Sequence, residues 1–114
     1  MHEAMVAQNV LLAITRESKQ RHAKPVHAKI SCGQLNTLHK DVFCLAFEAL
    51  AQETCCADMT FDVEQKPFQA TCNNCECTFA VVFSTDACPA CASSSFTLLP
   101  DAPLLLETID FQEE

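Results

Sequence analysis

The sequence predicts an α+β fold, two helices laid on one face of a small three-stranded sheet, with a zinc-ribbon module inserted before the last strand. Helical and strand periodicities alternate from His2 to Lys66, two CxxC pairs follow Pro67, and one more strand-like run closes the chain. The division expected is residues 1–67 with 101–114 as the α/β part, and 68–100 as the ribbon.

From His2 to about Lys19, Met5, Val6, Val10, Ala13, Ile14 and Glu17 recur at helical spacing. Glu3 lies near the positive end of the helix dipole, and Arg16 and Lys19 near its negative end. Val26, Ala28, Ile30 and Cys32 then alternate with His27, Lys29 and Ser31, the period of a half-buried strand, which stops at Gly33. Gly33 is the one glycine in the chain, and its position implies a positive φ or a close backbone approach. Asn36 or Thr37 is expected to cap a second helix running to about Gln52, with Val42, Phe43, Leu45, Ala46, Phe47, Ala49 and Leu50 forming its wide apolar face. Met59, Phe61 and Val63 alternate with polar neighbours in a second strand that Pro67 ends. After the ribbon, Pro100 to Pro103 reads as a turn and Leu104 to Phe111 as the returning third strand.

Cys72-Asn73-Asn74-Cys75 and Cys88-Pro89-Ala90-Cys91 have the spacing of a tetrathiolate site. Each CxxC turn brings two sulfurs to one ion at about 2.3 Å, and the interval between the pairs has room for a short hairpin that sets them opposite. Structural zinc is the reading the motif favours; rubredoxin-like iron and two disulfides use the same four residues. Of the other cysteines, Cys32, Cys44, Cys55 and Cys56 read as small apolar fillers. Cys77, two residues beyond Cys75, reads as a free thiol beside the site or a substitute ligand.

Nine cysteines, an odd number, cannot all pair, and no basic segment followed by an apolar one opens the chain, so a reduced, cytoplasmic setting is expected. The longest apolar runs are too short for a membrane span. Net charge is −8, and all seven basic residues precede Pro67. The ribbon and tail therefore carry acids alone, which excludes the phosphate binding common to zinc ribbons and leaves nucleic acid an unsuitable partner. No glycine-rich phosphate loop, G-x-S-x-G or H-E-x-x-H occurs, and a zinc held by four thiolates has no open position, so no enzyme activity is expected. His22, His27 and His39 read as solvated side chains.

His2 differs by its place. A free α-amino group, the imidazole one residue on and the intervening amide nitrogen can chelate one ion in fused rings, a nitrogen set suited to nickel(II) or copper(II). The alternative is a frayed terminus.

Taken together, Met1-His2-Glu3 opening the first helix, the Val26 to Gly33 strand, the Phe43-Cys44-Leu45-Ala46-Phe47-Glu48 helix, the alternating strand before Pro67 and the inserted CxxC pairs resemble the HypA/HybF family of hydrogenase nickel-incorporation proteins. The resemblance covers essentially the whole chain. It implies a nickel metallochaperone that works with a maturation GTPase and delivers nickel to the precursor of a [NiFe]-hydrogenase large subunit, and in some organisms to urease. It further implies that His2 is the principal nickel ligand, beside the Met1 amine and Glu3, and that Cys72, Cys75, Cys88 and Cys91 hold zinc. Many relatives have glycine just after each knuckle, where this chain has Glu76 and Ala92, and some supply a ribbon histidine to nickel, which this ribbon lacks. The rival function is a zinc-ribbon protein adaptor that never binds nickel.

Overall fold

The computed structural model describes residues 2–112. Its elements run α1 (Glu3–Arg21), β1 (Lys24–Cys32), α2 (Lys40–Ala51), β2 (Thr60–Gln65), β3 (Phe68–Cys72), β4 (Thr78–Val81), β5 (Phe96–Leu98) and β6 (Leu105–Gln112). The expected order of helices and strands is present, arranged as two three-stranded sheets, β2-β1-β6 and β4-β3-β5.

In the first sheet β1 is central, parallel to β2 and antiparallel to β6. Parallel strands cannot be joined by a tight turn, so α2 makes the crossover between β1 and β2. Pro25 is tolerated in this central strand because pairing with β2 begins only at His27, and the ladder to β6 shifts register between Pro25 and His27. Both helices add to one buried cluster with Ala28, Ile30 and Cys32 of β1 and Phe61 of β2. At its centre, the Phe61 ring meets Phe43 and Phe47 edge-on, at centroid distances of 5.0 and 4.7 Å. On β1 the polar residues between these bond to neighbouring strands: Lys29 reaches Glu64 at 3.1 Å, and the buried Ser31 hydroxyl donates to Glu107 at 2.6 Å.

α1 runs two residues past Lys19 and stops where His22 turns left-handed (φ 52°), its N–H satisfying the Ser18 carbonyl. α2 starts later than predicted. Neither Asn36 nor Thr37 caps it: the Thr37 hydroxyl donates instead to the carbonyls of Gln34 and Gly33 in the preceding turn, and His39 takes the N-cap position without a side-chain bond. Apolar burial sets this start, since Leu38 just before the cap and Phe43 in the first turn both enter the main core, as in a hydrophobic staple. Gly33 meets the second of its two expectations. Its φ is not positive, but a Cβ there would collide with the carboxylate of Asp101, which accepts the N–H groups of Gln34 and Leu35 at 2.8 Å each.

The ribbon departs from the expected hairpin. The interval between the CxxC pairs holds one strand, β4, which folds back on β3; β5, beyond the second pair, takes the other edge of β3. The CxxC segments are themselves the turns, so no separate hairpin is needed to bring them together. Ala70, Cys72, Phe79 and Cys88 form this sheet's own small core, with Cys77, Val81 and Phe96 against it. With a core in each sheet the molecule is elongated, 55 × 28 × 16 Å, and its radius of gyration of 18.1 Å exceeds the roughly 13 Å of one compact domain of this length.

Candidate metal centre

Cys72 ends β3, and Cys75 follows one turn later; Cys88 and Cys91 stand in the same relation on the far side of β4. The two turns repeat each other bond for bond. Glu76 N–H donates to the Cys72 carbonyl at 3.0 Å, and Ala92 N–H to the Cys88 carbonyl at 2.8 Å. Cys72 N–H donates to the Cys77 carbonyl at 2.9 Å, and Cys88 N–H to that of Ser93 at 2.8 Å. Each turn needs one left-handed residue, Glu76 (φ 62°) and Ala92 (φ 64°), the two positions where glycine would be unstrained.

This backbone places four sulfurs within 4.8 Å of one another, the one such group of potential metal ligands among the described residues. Cys72 and Cys91 sulfurs lie 3.5 Å apart, those of Cys75 and Cys88 3.6 Å. A tetrahedral ion bound at about 2.3 Å requires sulfur separations of about 3.8 Å, so the set fits a tetrathiolate metal. A disulfide needs about 2.05 Å, and all nine thiols are free.

The surroundings favour thiolate at Cys72 and Cys91. Amides of Cys75 (3.4 Å) and Asn74 (3.3 Å) point at the Cys72 sulfur and, against the loss of solvation, draw its pKa down to about 6. Cys91 is lowered by the Asn74 side-chain amide at 3.6 Å and then by the Ser93 N–H. Although the Cys77 N–H lowers it, Cys75 is pushed up to about 12 by lost solvation and by the sulfurs of Cys88, Cys72 and Cys91. Four thiolates cannot ionise side by side without a cation, and no Lys or Arg lies beyond Lys66 to serve as one. Asn74 is a contributor that spacing alone does not reveal, a residue between two of the clustered cysteines that also bonds Cys91 of the other turn. Cys77 is outside the cluster; its thiol donates to the Thr78 carbonyl at 3.7 Å while its side chain packs on the ribbon core.

The amino-terminal group is separate from the cysteines. His2 is exposed at the N-cap of α1 in extended conformation (φ −93°, ψ 99°), its carbonyl accepting Val6 N–H at 3.1 Å and its imidazole capping nothing. Glu3 begins the first turn. Met1, whose amine completes the expected chelate, lies outside the described residues. Of the other histidines, His27 is more engaged than a solvated side chain, with Nδ1 2.7 Å from the Thr60 hydroxyl and Nε2 3.1 Å from Asp62.

A family model described as "Hydrogenase/urease nickel incorporation, metallochaperone, hypA" matches residues 1–111. The hydrogenase maturation factor HypA of Desulfitobacterium hafniense (strain DSM 10664 / DCB-2) is 32% identical over 114 residues, covering 99% of this chain and 100% of that protein. That of Pelodictyon phaeoclathratiforme is 24% identical, covering 100% and 98%. In fold, the chain is similar to the solution structure of the nickel metallochaperone HypA from Helicobacter pylori (TM-score 0.64, 21% identity, all of both chains). It is also similar to a second HypA solution structure (TM-score 0.70, 21% identity, 100% and 98%).

Proposed function

Because this chain belongs to the HypA family of nickel-incorporation metallochaperones for hydrogenase maturation, we propose that it binds nickel at its amino terminus and hands it on by ligand exchange rather than catalysis. Residues 1–67 with 101–114 carry the cargo site, and 68–100 form the scaffold module. The ligands are the His2 imidazole, the Met1 amine and the backbone or side chain of Glu3. The observation that carries this is the placement of His2, exposed at the helix start with an imidazole that caps nothing. The first N–H groups of a helix have no intrahelical acceptor, so the Glu3 amide is available to the same ion. An open terminal site suits transfer, since a partner's ligand can approach the metal while the first ligands still hold it.

Cys72, Cys75, Cys88 and Cys91 hold structural zinc. Sulfur and nitrogen donor sets prefer different ions, which keeps scaffold metal and cargo apart. The recipient is the precursor of a [NiFe]-hydrogenase large subunit, with a maturation-pathway GTPase as partner and urease a further client, all in the cytoplasm. Among the described residues no helix is long and apolar enough to cross a membrane.

Nickel titration calorimetry on the untagged protein, with zinc content measured in parallel, tests the assignment. His2→Ala is expected to abolish nickel binding and leave zinc near one per chain; stoichiometric nickel in that variant would sink it. Zinc near one per chain with no nickel binding by the unmodified protein would instead favour a zinc-ribbon adaptor that never binds nickel.

A further inference from the structure

Cys55 and Cys56 are adjacent in sequence, and neither metal site uses them. Side chains of neighbouring residues ordinarily diverge, but here the chain from Gln52 to Asp58 is a run of turns, with Glu53 left-handed (φ 65°), and the two sulfurs converge to 3.8 Å. They differ in access. Cys55 is exposed, whereas Cys56 is wholly buried in the main core. Both rest on α1, the Cys55 thiol donating to the Ser18 hydroxyl at 3.6 Å and Cys56 lying 3.9 Å from that of Thr15. Burial first, then the bond to Cys55, holds the Cys56 thiol protonated, with its pKa pushed up to about 11. An exposed thiol with a protected one beside it is the arrangement of an oxidisable cysteine and its resolving partner.

We propose that Cys55–Cys56 is a modification site at which a hydroperoxide closes a disulfide between the two adjacent residues. The Cys55 thiolate attacks the terminal oxygen of the peroxide; the O–O bond breaks, a sulfenic acid forms, and the departing oxygen takes a proton to leave as water or alcohol. The Cys56 sulfur then attacks the Cys55 sulfur; the S–S bond forms as S–O breaks, and hydroxide leaves with the Cys56 proton as water. Two thiols lose two electrons and the peroxide gains them. Closure from 3.8 Å to about 2.05 Å falls within an irregular segment, so no helix or strand pairing has to break. It draws both sulfurs from the hydroxyls of α1, the helix that begins beside His2. The four ribbon cysteines, once metal-bound, are shielded from the same reagent.

The test is graded hydrogen peroxide on the zinc-loaded chain, with peptide mapping by mass spectrometry, dimedone to trap sulfenic acid and a chromophoric chelator to report zinc release. The expected product lacks two hydrogen atoms, carries a Cys55–Cys56 bond and retains zinc. Cys56→Ser is expected to accumulate the dimedone adduct at Cys55, and Cys55→Ser to slow thiol loss about tenfold or more. A persistent Cys55 adduct in the unmodified sequence, a disulfide that maps elsewhere, or zinc release preceding thiol loss would each overturn the proposal. The mapping uses the natural sequence, so a variant that failed to fold would leave it decisive.

Discussion

Replacing Ala92 by glycine should tighten zinc binding, although it removes a side chain and adds no contact. Ala92 sits at φ 64°, where its N–H must reach the Cys88 carbonyl at 2.8 Å to close the second turn. Holding an L-residue left-handed costs about 1–2 kcal/mol, and glycine gives back about 0.4–1 kcal/mol through its greater freedom in the unfolded chain. The net gain is about 0.5–1 kcal/mol. So small a module folds with its metal as one equilibrium, so the gain should appear as a zinc dissociation constant about two- to fivefold lower. Ala90, in the same turn and outside the left-handed region, is the control. There glycine brings only the unfolded-state cost, and zinc should bind more weakly by about 0.4–1 kcal/mol. Competition against a chromophoric zinc chelator measures both variants. Shifts of the same sign would refute the claim that backbone strain distinguishes the two alanines.

Extending the amino terminus with a tag turns the Met1 amine into an amide, and nickel affinity should fall; unchanged affinity in calorimetry would mean that side chains alone bind it. Phe61→Ala empties the place where Phe61 meets two other rings at 5.0 and 4.7 Å. It should cost about 3–5 kcal/mol by urea unfolding and leave the zinc stoichiometry unchanged, because the ribbon has its own core. The Glu107 carboxyl is held below its usual range, first by the Ser31 hydroxyl and then by the Lys66 ammonium at 3.1 Å. A depressed folded pKa makes its contribution complete above the unfolded value of about 4.3 and lost as pH falls through the lower folded one. Glu107→Gln should therefore flatten the denaturant midpoint below about pH 4.3; an unaltered acid slope would show that another group sets it.

Much of this arrangement was legible because its signals are local. Alternation from Val26 to Cys32 reports a strand with one buried side, and the helical period of α2 places Phe43 and Phe47 in the core. Val42, Leu45 and Leu50 of the expected wide face are exposed, because the core covers a narrower stripe of that helix. CxxC spacing is equally local: two sulfurs on one turn point to one ion whatever surrounds them. The start of α2 was not legible, because Thr37 has the chemistry of a cap and lost the position to burial of Leu38 and Phe43, a competition settled by the rest of the core. Nor was the ribbon's strand order, since pairing β5 with β3 joins residues on opposite sides of both knuckles.

Taken alone, the sequence determined which four cysteines have the spacing of a metal site, the alternation of helix and strand, and the absence of positive charge beyond Lys66. These follow from residue type and spacing, which the chain carries into any conformation. Only the tertiary structure decided why Gly33 bears no side chain, that Asn74 serves both knuckles, and that Cys55 and Cys56 face each other at 3.8 Å. Each of these depends on a distance between groups or on a local backbone turn, and such distances exist only once the two cores have closed.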